Sequence, residues 1–162
     1  MKNKNLNKNF LKKINSSAYL KSFNKSLIKF NSSYNDFDKF INDFEIFLLN
    51  DFETPSKNLS TQDLIFEGII SRLDTLTDYK NISLKIYLES QKNPKYFLTI
   101  NKFLSNYFKS FLNSQLDVAK AYLIYIYAFN IWIEDNNSMD KTMAAIGNSF
   151  DAINKFQSFF KR

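Results

Sequence analysis

The chain has 162 residues, of which 44% are hydrophobic and 17% aromatic, enough to bury the core of one domain with a short appendage. It contains no Cys and no His, which excludes disulfide frameworks, thiolate or imidazole metal sites, and nucleophiles that depend on Cys or His. With two Gly and two Pro it lacks Gly-rich phosphate loops and the turn signals of a β fold, so we expect an all-α, non-enzymatic protein with no catalytic residue, metal site or cofactor.

The formal charge of +6 is unevenly distributed along the chain. Residues 1–30 contain eight Lys and no acidic residue, which leaves a net charge of −2 for the rest of the chain. Two explanations carry equal weight: the coding bias of an AT-rich genome, in which Lys replaces Arg, and a selected basic segment. The first residues are polar and no apolar signal segment follows them, so we expect a cytoplasmic protein.

The N-terminal region is predicted to contain one basic amphipathic helix. Residues 1–15 are rich in Lys and Asn, and we expect them to be frayed or weakly helical. Between residues 19 and 30, apolar side chains recur every three or four positions, which predicts a helix. Its opposite side, the basic face, carries Lys21, Lys25 and Lys29. A basic face of this kind has three alternative roles: it is exposed to solvent, it binds an anionic membrane surface, or it binds nucleic-acid phosphates.

A second helix is predicted over residues 35–50, with Asp36 and Asp38 in the first turn, where the helix dipole favours acidic side chains. The following segment, 54–58, combines Pro55 with small polar residues and is predicted to be a linker. We therefore divide the chain into a basic N-terminal helical segment, residues 1–53, and a C-terminal helical domain, residues 60–162.

Local signals mark the helices of the second region. Ser60 and Asp63 resemble a capping box before a helix over 61–76, a shorter helix follows near 81–91, and Asn93 with Pro94 opens the next one. Residues 115–134 are apolar on nearly every side and predict a helix buried on two faces. The longest apolar run, 121–133, is broken only by Asn130 and is shorter than the roughly 20 residues that span a bilayer, so we expect a buried helix and not a membrane anchor. In total we expect six to eight helices in a bundle.

The last helix is predicted to begin after residues 136–138. Its apolar residues recur at steps of four and three, a heptad-like seam that suits packing against a nearly parallel helix. The seam consists of Met139, Met143, Ile146, Phe150 and Ile153.

Two stretches carry a family resemblance. Residues 131–146 read IWIEDNNSMDKTMAAI and residues 66–76 read FEGIISRLDTL. In this order and spacing they resemble the C-terminal half of TetR-like regulators and of the related ubiquinone-biosynthesis lipid-binding family, over about residues 60–157. The resemblance implies a helical domain with an apolar internal cavity and a homodimer formed by the last two helices. Residues 1–37 lack the Gly and the closing signature of a TetR helix-turn-helix.

The resemblance implies site residues of two kinds, for a ligand and for a partner subunit. Aromatic and aliphatic side chains are expected either to line the cavity or to fill the core. The candidate ligand-binding residues are Phe66, Ile69, Leu104, Phe108, Tyr122 and Tyr125. The candidate dimer interface consists of Phe129 and the five seam residues Met139, Met143, Ile146, Phe150 and Ile153.

Charged residues within the two stretches are interpreted as structural. Asp135 and Asp140 are expected to cap and fix the loop before the last helix and not to form a catalytic carboxylate pair. Arg72 is expected to form a surface or half-buried pair with Asp74 and Asp78, and the alternative for these residues is a contact with the head group of a ligand.

The leading hypothesis is therefore a non-enzymatic helical homodimer that binds a lipid or an isoprenoid quinone-like molecule, as an accessory factor in ubiquinone biosynthesis that touches the membrane peripherally. The alternative is a DNA-binding transcriptional regulator of TetR type with a divergent N-terminal domain. A third hypothesis is a scaffold whose only activity is dimerisation.

Overall fold

A computed structural model describes residues 6–17, 22–52, 55–56, 58–135 and 138–160, with side chains up to residue 155. Over these ranges the chain forms eight α-helices and a short 3-10 helix at Ser32–Asn35, with no β-strand. The all-α prediction is confirmed. The helices are α1 Lys8–Asn15, α2 Ser22–Phe30, α3 Phe37–Leu49, α4 Thr61–Thr77, α5 Lys80–Ser90, α6 Pro94–Lys109, α7 Gln115–Glu134 and α8 Asp140–Phe160.

The capping signals predicted the helix starts well. The Ser60 hydroxyl accepts a hydrogen bond from the Asp63 amide at 3.2 Å and donates one to the Asp63 carboxylate at 2.6 Å, just before α4. The Asn93 side chain accepts from the Lys95 amide at 3.0 Å in the first turn of α6. These bonds satisfy amides that have no partner within the first helical turn, which is why the helices begin there.

The first fifteen residues were expected to be frayed or weakly helical, and residues 8–15 form the helix α1. Leu11 and Ile14, one helical turn apart, are both buried. The end of α1 is also tied to the start of α5: the Asn15 side chain accepts from the Ile82 amide at 3.0 Å, and Asn81 donates to the Asn15 carbonyl at 3.2 Å. Contacts with a distant helix order this segment, and the sequence around it contains no signal for them.

The described residues form two compact units. The first combines those up to Phe52 with Thr75–Leu104, and the second combines those between Pro55 and Asp74 with those from Ser105 onward. Residues 75–104 thus share a unit with α1, α2 and α3, although the sequence grouped them with 60–162. The functional division into residues 1–53 and 60–162 stays a prediction.

The core of the first unit is largely aromatic. Phe40 contacts Phe23 and Phe44, with ring centroids 6.0 Å apart in both pairs. Tyr79 packs edge-on against Phe44 and Phe47, each at 5.9 Å. Edge-on ring contacts of this kind add to the stabilisation from burial. The aromatic rings thus link α2 and α3 to the segment that precedes α5.

In the second unit, α7 and α8 pack against each other. The buried apolar side chains of these two helices include Val118, Ala121, Ile124, Tyr125, Ala128, Phe129, Trp132, Ala145, Ile146 and Phe150. α4 adds Ile65, Ile69 and Leu73 to the buried side chains of this unit.

The two glycines predict opposite effects of substitution by Ala. A Cβ at Gly68, within α4, would lie 2.9 Å from Phe111 Cε2 and closer still to Cζ, whereas a Cβ at Gly147, within α8, meets nothing within 4 Å. Overpacking costs about 1–3 kcal/mol, and Ala gains up to about 1 kcal/mol over Gly inside a helix. We expect Gly68→Ala to lower the free energy of unfolding by about 1 kcal/mol and Gly147→Ala to raise it by about 0.5–1 kcal/mol.

Urea unfolding followed by far-UV circular dichroism measures both changes, and each variant is the other's control. A Gly68→Ala protein as stable as Gly147→Ala would contradict the close contact with Phe111.

Candidate functional site

A buried cation lies at the centre of the second unit. Arg72 of α4 is 2% exposed. Its Nε donates a hydrogen bond to the Tyr125 hydroxyl at 3.2 Å. Its Cζ lies 5.8 Å from the ring centroid of Tyr107 and 5.6 Å from that of Tyr125, within the range of a cation–π interaction. Arg stays charged even when buried, so the two rings place their negative faces against a permanent positive charge.

Tyr107 completes this group, which we call the Arg72 cluster: Arg72, Tyr107 and Tyr125. The Tyr107 hydroxyl donates to the Gly68 carbonyl of α4 at 2.8 Å. Burial raises the pKa of Tyr107 to about 12, against the opposing effect of the Arg72 charge. The hydroxyl is therefore a neutral hydrogen-bond donor throughout the physiological pH range.

A chain of aromatic rings extends from the Arg72 cluster along α6 and α7. Phe108 lies 6.1 Å from Tyr125, Tyr125 lies 5.9 Å from Phe129, and Phe129 lies 5.4 Å from Trp132, measured between ring centroids. These rings are buried and pack against one another. The cluster thus places a cation and two hydroxyl groups inside an otherwise apolar environment.

The predicted ligand-binding residues are divided between the two units. Ile69, Leu104, Phe108 and Tyr125 are buried, while Phe66 and Tyr122 are half-buried. Leu104 belongs to the first unit and the other five to the second. Among them, the structure places the rings of Phe108 and Tyr125 in contact.

Arg72 and Tyr107 were missing from the predicted set, and the expected surface pair of Arg72 with Asp74 or Asp78 is wrong. Asp74 and Asp78 are both exposed, and Asp78 pairs with Lys12 at 3.2 Å. Helical spacing could have located Arg72, because it lies three residues after Ile69, on the buried side of α4. The charge of Arg72 led to the surface assignment, since unpaired Arg is rarely buried.

The predicted dimer-interface residues are mostly covered by the chain itself. Phe129, Met139, Ile146 and Phe150 are buried, and Met143 and Ile153 are half-buried. The heptad-like pattern of α8 therefore serves packing within the chain, where α8 lies against α7. The homodimer stays a prediction, and these four side chains offer little surface to a partner subunit.

An apolar surface remains open on α7. Leu116, Leu123 and Tyr127 are 64%, 68% and 54% exposed, and Ala119 between them is also exposed. At steps of three and four, these four residues form one side of the helix, which we call the α7 outer face. Beside it, Lys120 and Asp117 pair with each other at 3.2 Å. The face is thus apolar, and its charged neighbours neutralise each other.

The helix α7 has the 20 residues, 115–134, that the sequence predicted, and it is longer than the apolar run within it. Among the described residues, α7 is the one helix that length and composition would allow to cross a membrane. Of its most apolar 18-residue stretch, 39% is buried within the protein. Core helices of soluble proteins meet the same criterion, so this is weak evidence.

Asp135 caps the first turn of α8, as predicted. One oxygen of the buried Asp135 carboxylate accepts from both the amide and the hydroxyl of Thr142, each at 2.8 Å. Met139 has a φ of 55°, an uncommon value for a residue other than Gly, Asn or Asp. Asp140 is exposed at the start of α8. Asp135 therefore joins the end of α7 to the first turn of α8 and caps that turn.

On α2, the structure exposes Lys25 and Lys29 and buries Phe23 and Leu27 on the opposite side, which confirms the amphipathic pattern. Lys21, the third residue of the basic face, lies outside the described residues.

Within the described part of the chain, no group of three or more Asp, Glu, His or Cys side chains could hold a metal ion. Comparison with protein-family models, with curated proteins and with solved structures finds no match.

Proposed function

We propose that the protein is a non-enzymatic, TetR-like helical homodimer that binds a lipid or an isoprenoid quinone-like molecule and serves a partner enzyme or a membrane. An accessory role in ubiquinone biosynthesis fits this activity. The observation that carries the proposal is α7, a helix that is apolar all round but has one side exposed to water. Helices of this composition are normally covered on every side, so the α7 outer face indicates a missing apolar partner.

A second copy of the chain suits this face. A 20-residue helix is about 30 Å long, and the α7 outer face extends along about half of it, from Leu116 to Tyr127. Two such faces can pair around a two-fold axis without opposing like charges, since Asp117 and Lys120 already neutralise each other.

The Arg72 cluster supports the second part of the proposal, an apolar ligand with a polar end. Quinones and lipid esters have carbonyl oxygens that accept hydrogen bonds, attached to rings or chains that prefer an apolar environment. The Arg72 cluster places a guanidinium and two phenol groups there, and the neighbouring rings of Phe108 and Phe129 supply the apolar surroundings.

Native mass spectrometry of the purified full-length protein, with mass analysis of its organic extract, tests both parts. We expect a dimer that carries a stoichiometric apolar molecule. Leu123→Asp should convert it to a monomer, because each buried copy of an unpaired carboxylate costs several kcal/mol. Ile46→Asp is the matched control: Ile46 is 48% exposed on α3, and this variant should remain dimeric. An empty extract, with no apolar probe bound, would overturn the ligand; a Leu123→Asp dimer would overturn the interface.

A second candidate is DNA binding, favoured by the exposed Lys25 and Lys29 and by the absence of acidic residues from α1 and α2. Affinity for duplex DNA should then fall steeply with salt, with a slope of about 0.9 per phosphate contact in a logarithmic plot. An empty dimer that binds no DNA at low salt would leave the third hypothesis, a scaffold that only dimerises.

A further inference from the structure

A second exposed apolar surface lies at the start of α6, in the first unit. Phe97 and Leu98 are 48% and 66% exposed, and Pro94, four residues before Leu98, is exposed as well. Lys102, one turn after Leu98, lies on the same side of the helix and is exposed. We call these four residues, Pro94, Phe97, Leu98 and Lys102, the α6 patch.

The inner side of this helical segment is fixed to α3. The ring of Tyr96 packs edge-on against Phe37 at 5.5 Å. The Lys95 ammonium pairs with Asp36 at 3.1 Å and with Asp38 at 3.4 Å. These contacts hold the first turns of α6 in one orientation, so Phe97 and Leu98 are presented on a supported helix and not on a loose loop.

The charge around the α6 patch is positive only by a small excess. Between Glu89 and Asp117 the sequence has four Lys and no acidic residue, but Asp36 and Asp38 both pair with Lys95 and neutralise it. Lys92 lies 3.5 Å from Glu89, but Glu89 also pairs with Lys85, at 3.0 Å, so this carboxylate is shared between two cations. Among the described residues Lys102 forms no ion pair. A positive rim beside exposed aromatic and aliphatic side chains is complementary to a surface that is anionic outside and apolar beneath.

We infer that the α6 patch docks the protein on an anionic lipid bilayer, with Phe97 and Leu98 inserted at the level of the headgroups and Lys92 and Lys102 against lipid phosphates. A bulky apolar pair within the first turns of a helix, flanked by Lys, is the arrangement that interfacial helices use. The inference deepens the proposed function and rests on it, because a carrier of an apolar molecule needs a place to load or release it.

A single fluorescent label can report insertion directly, because the natural chain has no Cys. Leu98→Cys and, as the matched control, Ile46→Cys each carry an environment-sensitive nitrobenzoxadiazole probe. Vesicles are phosphatidylcholine alone or with about 30 mol % phosphatidylglycerol, which supplies the negative surface potential. With the anionic vesicles we expect a blue shift and a rise in emission at position 98, no change at position 46, and neither response with phosphatidylcholine alone.

Co-sedimentation with the same vesicles tests the side chains themselves. The double variant Phe97→Ser with Leu98→Ser should bind at least about tenfold more weakly, because it removes most of the inserted apolar area. Ile46→Ser with Leu49→Ser removes comparable exposed area from α3 and should bind like the unmodified protein. Lys102→Gln should weaken binding to anionic vesicles about fivefold and leave that to neutral vesicles unchanged.

The inference is overturned if the unmodified protein does not sediment with anionic vesicles. It is equally overturned if the protein sediments while the label at position 98 stays in water, since docking would then use another surface, such as the basic face. Neither result depends on the organic extract. If the extract contains a lipid but the α6 patch does not insert into vesicles, the proposed function stands and the inference fails. If the α6 patch inserts but the extract is empty and no apolar probe binds, the proposed ligand fails.

Discussion

Replacing Trp132 by Ala is expected to lower the free energy of unfolding by about 3–5 kcal/mol. The indole is 1% exposed on α7, and its ring lies 5.4 Å from that of Phe129. Truncation removes the buried area of the largest side chain and leaves a cavity that the neighbouring rings fill only in part. The loss is a large fraction of the roughly 5–15 kcal/mol by which domains are usually stable.

Trp132 is the one Trp of the chain, so unfolding must be followed by far-UV circular dichroism and not by its fluorescence. Trp132→Phe keeps an aromatic ring in the site and should cost clearly less. Ile46→Ala, at an exposed position, should change stability by less than about 1 kcal/mol and serves as the control. A change near zero for Trp132→Ala would mean that the indole is not part of the core.

The second large effect is expected at Asp135. Asp135→Ala removes the acceptor of two hydrogen bonds from Thr142, a residue with no exposed surface, and leaves a buried hydroxyl and a first-turn amide without this acceptor. Loss of a helix cap costs about 0.5–2 kcal/mol and a buried unsatisfied group about 1–3 kcal/mol, so we expect a total of about 2–4 kcal/mol. The measurement is denaturant unfolding.

Control variants distinguish the loss of the hydrogen bonds to Thr142 from the loss of a negative charge near the start of α8. Asp135→Asn retains an acceptor oxygen and should lose less than half as much. Asp140→Ala, an exposed first-turn residue, should cost at most about 1 kcal/mol. In a double-mutant cycle, Asp135→Ala and Thr142→Val should together cost less than the sum of the single changes. An Asp135→Ala protein no less stable than Asp140→Ala would show that the bond contributes nothing.

The helices and their ends were largely predictable because their signals are local. The helix over 115–134 was predicted with the bounds that α7 has, and Ser60 and Asn93 marked the starts of α4 and α6. Apolar spacing over one or two turns and a capping side chain act within a few residues of each other. Where the stabilising contacts come from elsewhere, as for α1 and its bonds to Asn81 and Ile82, the sequence gave no warning.

The candidate site was predicted less well, for a physical reason that α8 illustrates. Its apolar stripe is real, but a stripe does not state which helix covers it; the structure lays α8 against α7, so Ile146 and Phe150 are buried within the chain. Similarly, the position of Arg72 on the buried side of α4 depends on Tyr107 and Tyr125, which come from two later helices. A buried cation is stable only with such partners, and no local pattern predicts them.

By itself, the sequence determined that this chain is helical, which side of most helices is apolar, and that chemistry based on Cys or His is absent. Only the tertiary structure decided which apolar sides are covered and which remain open, as on α7 and at the start of α6. The difference arises because helix formation depends on side chains within a turn or two, whereas burial depends on contacts between segments far apart in the chain.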